Sequence, residues 1–122
     1  MIDVASFRNV KLHGGFSIAE IRLTPEPLVD ALGREAAAQT RIIGGEFHLL
    51  IRSGLSDEEL SITLYHEILE AASVASEHPP DSVANFTEGD FERAARRMRD
   101  SLGEASRETL NRMLQIHGFR GE

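Results

Sequence analysis

The chain of 122 residues contains no cysteine. It therefore has no disulfides, iron–sulfur clusters, thiolate zinc sites or cysteine nucleophiles, and a bound metal ion would be held by His, Asp, Glu or water. Tryptophan is also absent, and aromatic residues make up only 6% of the sequence. We therefore expect a core built from aliphatic side chains and the six phenylalanines.

Long apolar runs and an excess of positive charge are missing as well. No stretch approaches the roughly 20 apolar residues of a membrane-spanning helix, and the first residues lack a signal-peptide pattern, so we expect a cytoplasmic protein with no membrane partner. The net charge is −7, from 13 basic and 20 acidic residues. Nucleic-acid binding needs positive charge to replace counterions, so we expect no nucleic-acid partner. The sequence predicts no particular oligomeric state.

What is present indicates one domain over residues 1–122. Hydrophobic residues make up 41% and charged residues 27% of the chain, close to globular averages. Periodicity and turn signals predict an α+β fold, in which a small, mainly antiparallel sheet packs with helices and two helices lie at the C-terminus. The predicted strands are 1–10, 16–23, 41–43 and 46–52, and the predicted helices are 25–39, 56–75, 87–102 and 106–117.

The predicted helix over 56–75 is the best-defined element. Ser56 and Glu59 form a capping box at its start, and no Pro or Gly interrupts it. His66 and Glu70 lie four residues apart, one above the other, away from the core-facing stripe. That stripe is spaced at helical intervals and comprises Leu60, Leu64, Ile68, Ala71 and Ala75.

The pair His66 and Glu70 indicates a metal site. A His and a carboxylate at i, i+4 can hold one ion, and Glu67 lies about 100° round the helix, where it can polarise a metal-bound water. His78, just past the helix end, is the predicted third ligand, because a tight reversal could bring it back to the metal face. The competing third ligands are Glu77, Glu88 and Asp90.

The run His66-Glu67-Ile68-Leu69-Glu70 resembles the H-E-x-x-H signature of zincin metallopeptidases, with Glu70 at the position of the second His. The layout before it is similar too, since a predicted strand precedes a short turn and the capped helix. The resemblance covers about Phe47 to Ala75. Carboxylates also bind zinc, so Glu70 can take the place of the second His.

The resemblance implies a small zincin-like domain that binds zinc and hydrolyses a peptide or protein substrate. His66 would be the first ligand. Glu67 would be the general base, which takes a proton from a water acidified by zinc and passes it to the leaving amine. The substrate would lie along the strand that ends at Ile51 and add to it by backbone pairing.

Two other interpretations of these residues remain open. In one, the chain is a zincin-like domain that binds a partner or regulates without catalysis, with or without a structural metal. In the other, His66 is an ordinary half-buried helix residue, and Glu67 and Glu70 belong to a solvated face.

Two further features have a functional and an ordinary interpretation. His48, on the strand over 46–52, could line the wall of a substrate cleft or be an exposed strand histidine. Four arginines on the helix over 87–102 could bind a phosphate or an acidic partner, or could pair with local acids such as Glu92 and Asp100. They are Arg93, Arg96, Arg97 and Arg99.

Overall fold

The computed structural model describes residues 2–30 and 32–120, so Met1 of the first predicted strand and Ala31 of the first predicted helix lie outside the described residues. The strands are β1 (Val10–Lys11), β2 (Ser17–Thr24), β3 (Leu28–Val29), β4 (Glu35–Ala36), β5 (Ala38–Ile43) and β6 (Glu46–Arg52). The helices are α1 (Asp57–Ala75), α2 (Glu88–Leu102) and α3 (Arg107–Ile116). These elements confirm the α+β class and the two C-terminal helices.

Four strands form the main sheet, in the order β1–β2–β6–β5. β5 and β6 pair antiparallel on either side of Gly44-Gly45, which confirms the predicted hairpin. β1 is antiparallel to β2, whereas β2 and β6 are parallel. β3 and β4 form a separate antiparallel hairpin. The sheet is therefore mainly antiparallel, as predicted.

β6 lies inside the sheet, because it pairs with β2 on one side and with β5 on the other. Both of its edges are used, so the prediction that a substrate peptide adds to the strand ending at Ile51 is wrong. The outermost strand on this side of the sheet is β5. The order of strands in a sheet depends on contacts between distant segments, which a local sequence pattern does not record.

The predicted helix over 25–39 is also wrong, because this stretch contains β3, a turn, β4 and the start of β5. The Asp30 carboxylate accepts the backbone N–H groups of Leu32 and Arg34 at 2.8 and 2.9 Å. Gly33 adopts φ of +80°, which glycine tolerates best. This side-chain-closed turn competes with the helix that the apolar spacing predicted.

The N-terminal strand predicted over 1–10 is likewise wrong. Val4–Phe7 forms a 3-10 helix. Of the described residues in this stretch, only Val10 belongs to a strand, as the first residue of β1. The Asp3 carboxylate accepts the Ala5 N–H at 3.0 Å and so caps the 3-10 helix. The local cap decides the conformation where the apolar spacing was ambiguous.

The predicted helices in the second half of the chain are confirmed. Each begins at a capping box, with Ser56, Thr87 and Ser106 as the N-cap residues. Phe86 and Phe91 pack edge to face at 5.2 Å beside the start of α2. α1 contacts β5 as well as α2 and α3, so it lies between the sheet and the other helices. No helix in residues 2–30 and 32–120 has the length and apolarity required to cross a membrane.

Candidate functional site

α1 is buried around most of its circumference. The predicted stripe is confirmed, since four of its five residues are at most 7% exposed and Ala75 packs partly buried against the core. Burial extends further round the helix to Tyr65, Leu69 and Ala72. Only a narrow strip of α1 therefore remains for polar side chains, and it contains Thr63, His66, Glu67 and Glu70.

This polar strip borders a cleft of about 1370 Å³. The edge strand β5 and the start of α2 contribute to the same lining, and so does the β3–β4 hairpin. The lining is acidic where α1 meets α2, through Glu67, Glu70, Glu88 and Glu92. It also contains Arg22, Arg34 and Arg41. The cleft therefore presents both signs of charge.

His66 lies at the centre of the acidic end, with its side chain 15% exposed. Its Nδ1 is 2.9 Å from Oε1 of Glu92. Its Nε2 is 3.2 Å from Oε2 of Glu88 and 3.6 Å from Oε1 of Glu70. Both ring nitrogens therefore face carboxylates, one from α1 and two from the start of α2.

Glu67 is held from the sheet side of the cleft. Thr40 of β5 donates its hydroxyl to Oε1 of Glu67 at 2.7 Å. Because alternate residues of a strand point to opposite faces, Thr40 faces α1 while its neighbour Arg41 faces the other way. This hydrogen bond fixes one carboxylate oxygen of Glu67.

The surroundings change the proton affinity of His66. Burial by itself lowers the pKa of this ring, but contacts with Glu70, Glu92 and Glu88 and the charge of Glu67 outweigh burial and raise the pKa to about 10. The ring is therefore a cation at neutral pH in the metal-free protein. It neutralises part of the surrounding negative charge.

The two carboxylates of α1 respond in opposite ways. Burial raises the pKa of Glu67 from 4.5 to about 7, although the Thr40 hydroxyl and the charge of His66 oppose it. The His66 ring beside Glu70 lowers the pKa of that carboxyl, against the effect of burial. One turn of helix thus holds a firmly ionised carboxylate and one that titrates near neutral pH.

The structure brings together three of the four predicted site residues. One ligand atom from each of His66, Glu67 and Glu70 lies within 4.8 Å of the others. His78 is exposed in the loop after α1 and is not part of this group. Among the competing third ligands, Glu88 is the one that contacts His66.

Sequence reasoning missed the site roles of Glu92 and Thr40. Glu88 and Glu92 are four residues apart at the start of α2, so they lie on one helix face, as His66 and Glu70 do on α1. This second i, i+4 pair was a usable signal. Nothing local in the sequence relates Thr40 to Glu67, because their hydrogen bond joins β5 to α1.

The structure also shows the surroundings of His48 and of the α2 arginines, which had a functional and an ordinary interpretation. His48 lines the cleft and its side chain is 27% exposed, so it is neither fully exposed nor part of the acidic group. Three of the four arginines on α2 pair with acids, as the ordinary interpretation predicted: Arg93 with Asp90, Arg96 with Glu92, and Arg99 with Glu58.

Comparison of the chain with models of protein families, with curated proteins and with solved structures gives no match.

Proposed function

We propose that the protein binds one divalent metal ion, with zinc as the expected ion, at the acidic end of the cleft, and that it is a hydrolase. The proposed ligands are His66, Glu70 and Glu88, with Glu88 preferred to the earlier candidate His78. The observation that carries the proposal is the pair of contacts made by the His66 ring. Glu92 accepts from Nδ1, while Nε2 faces Glu70 and Glu88.

This arrangement is typical of metal-binding histidines. Such a ring usually donates its second N–H to a carboxylate or carbonyl, which fixes the tautomer and leaves the other nitrogen free for the ion. Here Glu92 supplies that carboxylate, and the nitrogen that remains is the one surrounded by ligand-type oxygens. The imidazole nitrogen of His66 and the carboxylate oxygens of Glu70 and Glu88 are ligand types that zinc accepts.

Glu67 is the proposed proton acceptor. When bound, zinc would polarise a substrate carbonyl and increase the acidity of water. Thr40 orients the Glu67 carboxylate from the opposite side of the cleft. A pKa of about 7 suits a group that takes up and releases a proton at neutral pH.

A peptide is the proposed substrate class, lying beside β5. β5 is the outermost strand of the main sheet and contributes to the cleft lining next to Glu67. An extended peptide can add to such an edge by backbone pairing. Placement on β5 replaces the earlier expectation for β6, whose two edges are occupied.

The first test is metal content. After zinc incubation and desalting, elemental analysis should find about one zinc per chain, and the double variant His66→Ala/Glu70→Ala should retain none. Glu104→Ala, which removes an exposed acid before α3, is the matched control and should bind as the parent does. Absence of zinc from the parent protein would overturn the proposal.

The second test separates catalysis from binding. Zinc-loaded protein is incubated with a mixed peptide library, and cleavage is followed by mass spectrometry. Glu67→Gln should retain zinc and lose cleavage, because the amide keeps the shape but does not accept the proton. Glu70→Gln should weaken zinc binding, with cleavage following metal occupancy. If the parent protein binds zinc but cleaves no peptide, the hydrolase part of the proposal is wrong and a non-catalytic metal-binding domain remains.

A second candidate is favoured by the charge state of His66. An imidazolium with a pKa of about 10 can act as a structural bridge between Glu70 of α1 and Glu88 and Glu92 of α2. In that case the chain is a non-catalytic binding domain. The zinc analysis separates the two candidates, because a purely structural bridge predicts no metal uptake.

A further inference from the structure

The main sheet has a second face, on the side opposite α1, that we call the outer sheet face. The cleft lining continues onto it past the edge strand β5. The outer sheet face is formed by the alternate residues of β2, β5 and β6 whose side chains do not enter the core. The strand register places them in rows. The residues of this face that line the cleft are Glu20, Arg22, Gln39, Arg41, His48 and Leu50.

Register brings the basic residues of this face together. Arg41 of β5 is directly opposite His48 of β6. Arg22 of β2 is opposite Leu50, two residues along β6 from His48 on the same face. Directly opposite residues have Cβ atoms about 5 Å apart, and diagonal neighbours remain within reach of long side chains. Two guanidinium groups can therefore converge near one imidazole.

Neither arginine is neutralised. Within residues 2–30 and 32–120, Arg22 and Arg41 have no carboxylate within ion-pair distance, whereas Arg34 and Arg52 are paired with Asp30 and Glu35. The chain has seven more acidic than basic residues, so the arginines are not unpaired for lack of acidic side chains. Both side chains are exposed and can rearrange around a ligand.

His48 adds an unsatisfied polar atom at the same place. Its Nε2 is buried and has no hydrogen-bond partner among the described residues. Its Nδ1 lies 3.8 Å from Oε2 of Glu20, which is within ion-pair distance but too far for a hydrogen bond. A buried polar atom without a partner costs free energy in the folded chain, so a side-chain rearrangement that brings a ligand acceptor to it is favoured.

We propose that the outer sheet face binds an oxyanion, a carboxylate or phosphate group of a ligand, through Arg22, Arg41 and Nε2 of His48. A planar guanidinium donates two parallel hydrogen bonds to either group. Nε2 can donate a third in the tautomer that carries its proton. The site is separate from the metal ligands, because Arg41 and Thr40 point to opposite faces of β5.

The β3–β4 hairpin forms a wall of this site. The side-chain amide of Gln39 donates to the carbonyl of Val29 at 2.9 Å, which holds the hairpin against the outer sheet face. Arg34 at the end of the hairpin turn also lines the cleft but is held by Asp30 at 2.9 Å. The hairpin therefore covers one side of the site. An anionic group of a ligand has to approach the sheet from the uncovered side.

The test is a heteronuclear NMR titration of metal-free protein at constant ionic strength, with inorganic phosphate in one arm and malonate in the other. Saturable shifts should appear in the His48 ring and in the amides of residues 39–42. Arg41→Gln and Arg22→Gln should each weaken binding about tenfold or more, as the loss of a charge-assisted hydrogen bond does. His48→Gln should weaken it as well.

A matched control gives the outcomes their meaning. Arg97→Gln removes an exposed α2 arginine outside the cleft lining and should leave binding unchanged. Saturation in one arm identifies the group as phosphate or carboxylate. Linear shifts in both arms, or equal losses in Arg97→Gln and Arg41→Gln, would overturn the site.

Discussion

At the scale of single residues, Glu67 depends most on its surroundings. The sequence shows only a glutamate that follows a histidine. In the fold, burial against the sheet raises its pKa to about 7 while Thr40 holds one of its oxygens. Glu70, three residues later, is firmly ionised because it faces His66. Two glutamates on one helix thus differ in pKa because their surroundings differ.

The pKa of Glu67 predicts a pH-dependent stability. The carboxyl ionises at about 7 in the folded chain but at 4.5 ordinarily, so its ionisation destabilises the metal-free fold as pH rises through this range. Glu67→Gln removes that effect, and its amide oxygen can still accept from Thr40. We expect the variant to be more stable than the parent by roughly 1–3 kcal/mol at about pH 8 and nearly equal at about pH 4.5.

Urea denaturation across this pH range measures the effect. The control is Glu77→Gln, which changes an exposed glutamate beyond the end of α1 and should not alter the pH profile. Parallel profiles for the parent and Glu67→Gln would show that Glu67 is solvated like an ordinary glutamate.

The pKa of His66 predicts proton release on metal binding. The ring carries a proton below about pH 10 in the metal-free protein, and an ion that binds Nε2 must displace it. We expect about one proton released per zinc ion at about pH 8, with apparent affinity rising about tenfold per pH unit. Calorimetry in buffers of different ionisation enthalpy counts the protons. Zinc binding with no proton release would remove His66 from the ligand set.

At the scale of elements, α1 combines a capped start, a buried stripe and a polar strip. The periodicity identified the stripe correctly, but the helix is buried over a wider arc than a single stripe because α2 and α3 cover it as well. The polar strip is therefore narrow, and its side chains are half-buried rather than solvated.

Truncation of the stripe should be costly. Leu64 and Ile68 are both 0% exposed, so Leu64→Ala and Ile68→Ala should each lower the free energy of unfolding by roughly 2–5 kcal/mol, since each leaves a cavity. Val74→Ala, at a position 70% exposed on the same helix, should change it by less than about 0.5 kcal/mol. Denaturant melts check this, and equal small shifts at all three positions would place the core on another face.

The region over 25–39 shows where element prediction failed. Its apolar residues are spaced as in a helix, yet the Asp30 side chain closes a turn with two backbone hydrogen bonds. Aspartate followed by a glycine three residues later was a turn signal in the sequence. In the folded chain this local chemistry outweighs the helical spacing.

At the scale of the whole molecule, α1 is tied to the connection between α2 and α3. Tyr65 donates its hydroxyl to the Gly103 carbonyl at 2.9 Å, and the Ala105 N–H donates to the Ser61 hydroxyl at 3.0 Å. Ser61 is 1% exposed. These bonds fix the place at which α2 ends and α3 begins relative to α1.

Loss of the Ser61 hydroxyl should weaken this junction. Ser61→Ala leaves the buried Ala105 N–H without its partner, and we expect the free energy of unfolding to fall by roughly 1–3 kcal/mol. Ser73→Ala is the control, because among residues 2–30 and 32–120 the Ser73 hydroxyl bonds only the Leu69 carbonyl of its own helix. Hydrogen exchange should also show faster exchange at Ala105 in Ser61→Ala. Unchanged exchange there would mean that water replaces the hydroxyl.

The sequence by itself determined the three helices, their caps, the Gly44-Gly45 hairpin and the residues of α1 that face the core. These features depend on local hydrogen bonds and on periodic burial, which a one-dimensional pattern records. It also placed His66, Glu67 and Glu70 on neighbouring positions of one helix, because i, i+4 spacing is a local property.

Only the tertiary structure decided the order of the strands, the burial of β6 between two neighbours and the approach of Glu88, Glu92 and Thr40 to α1. The outer sheet face has the same origin, since strand register places Arg41 opposite His48 and Arg22 in the next row. Each of these juxtapositions joins residues far apart in the chain. Their energies depend on packing and desolvation in the folded state, which no local pattern of residues encodes.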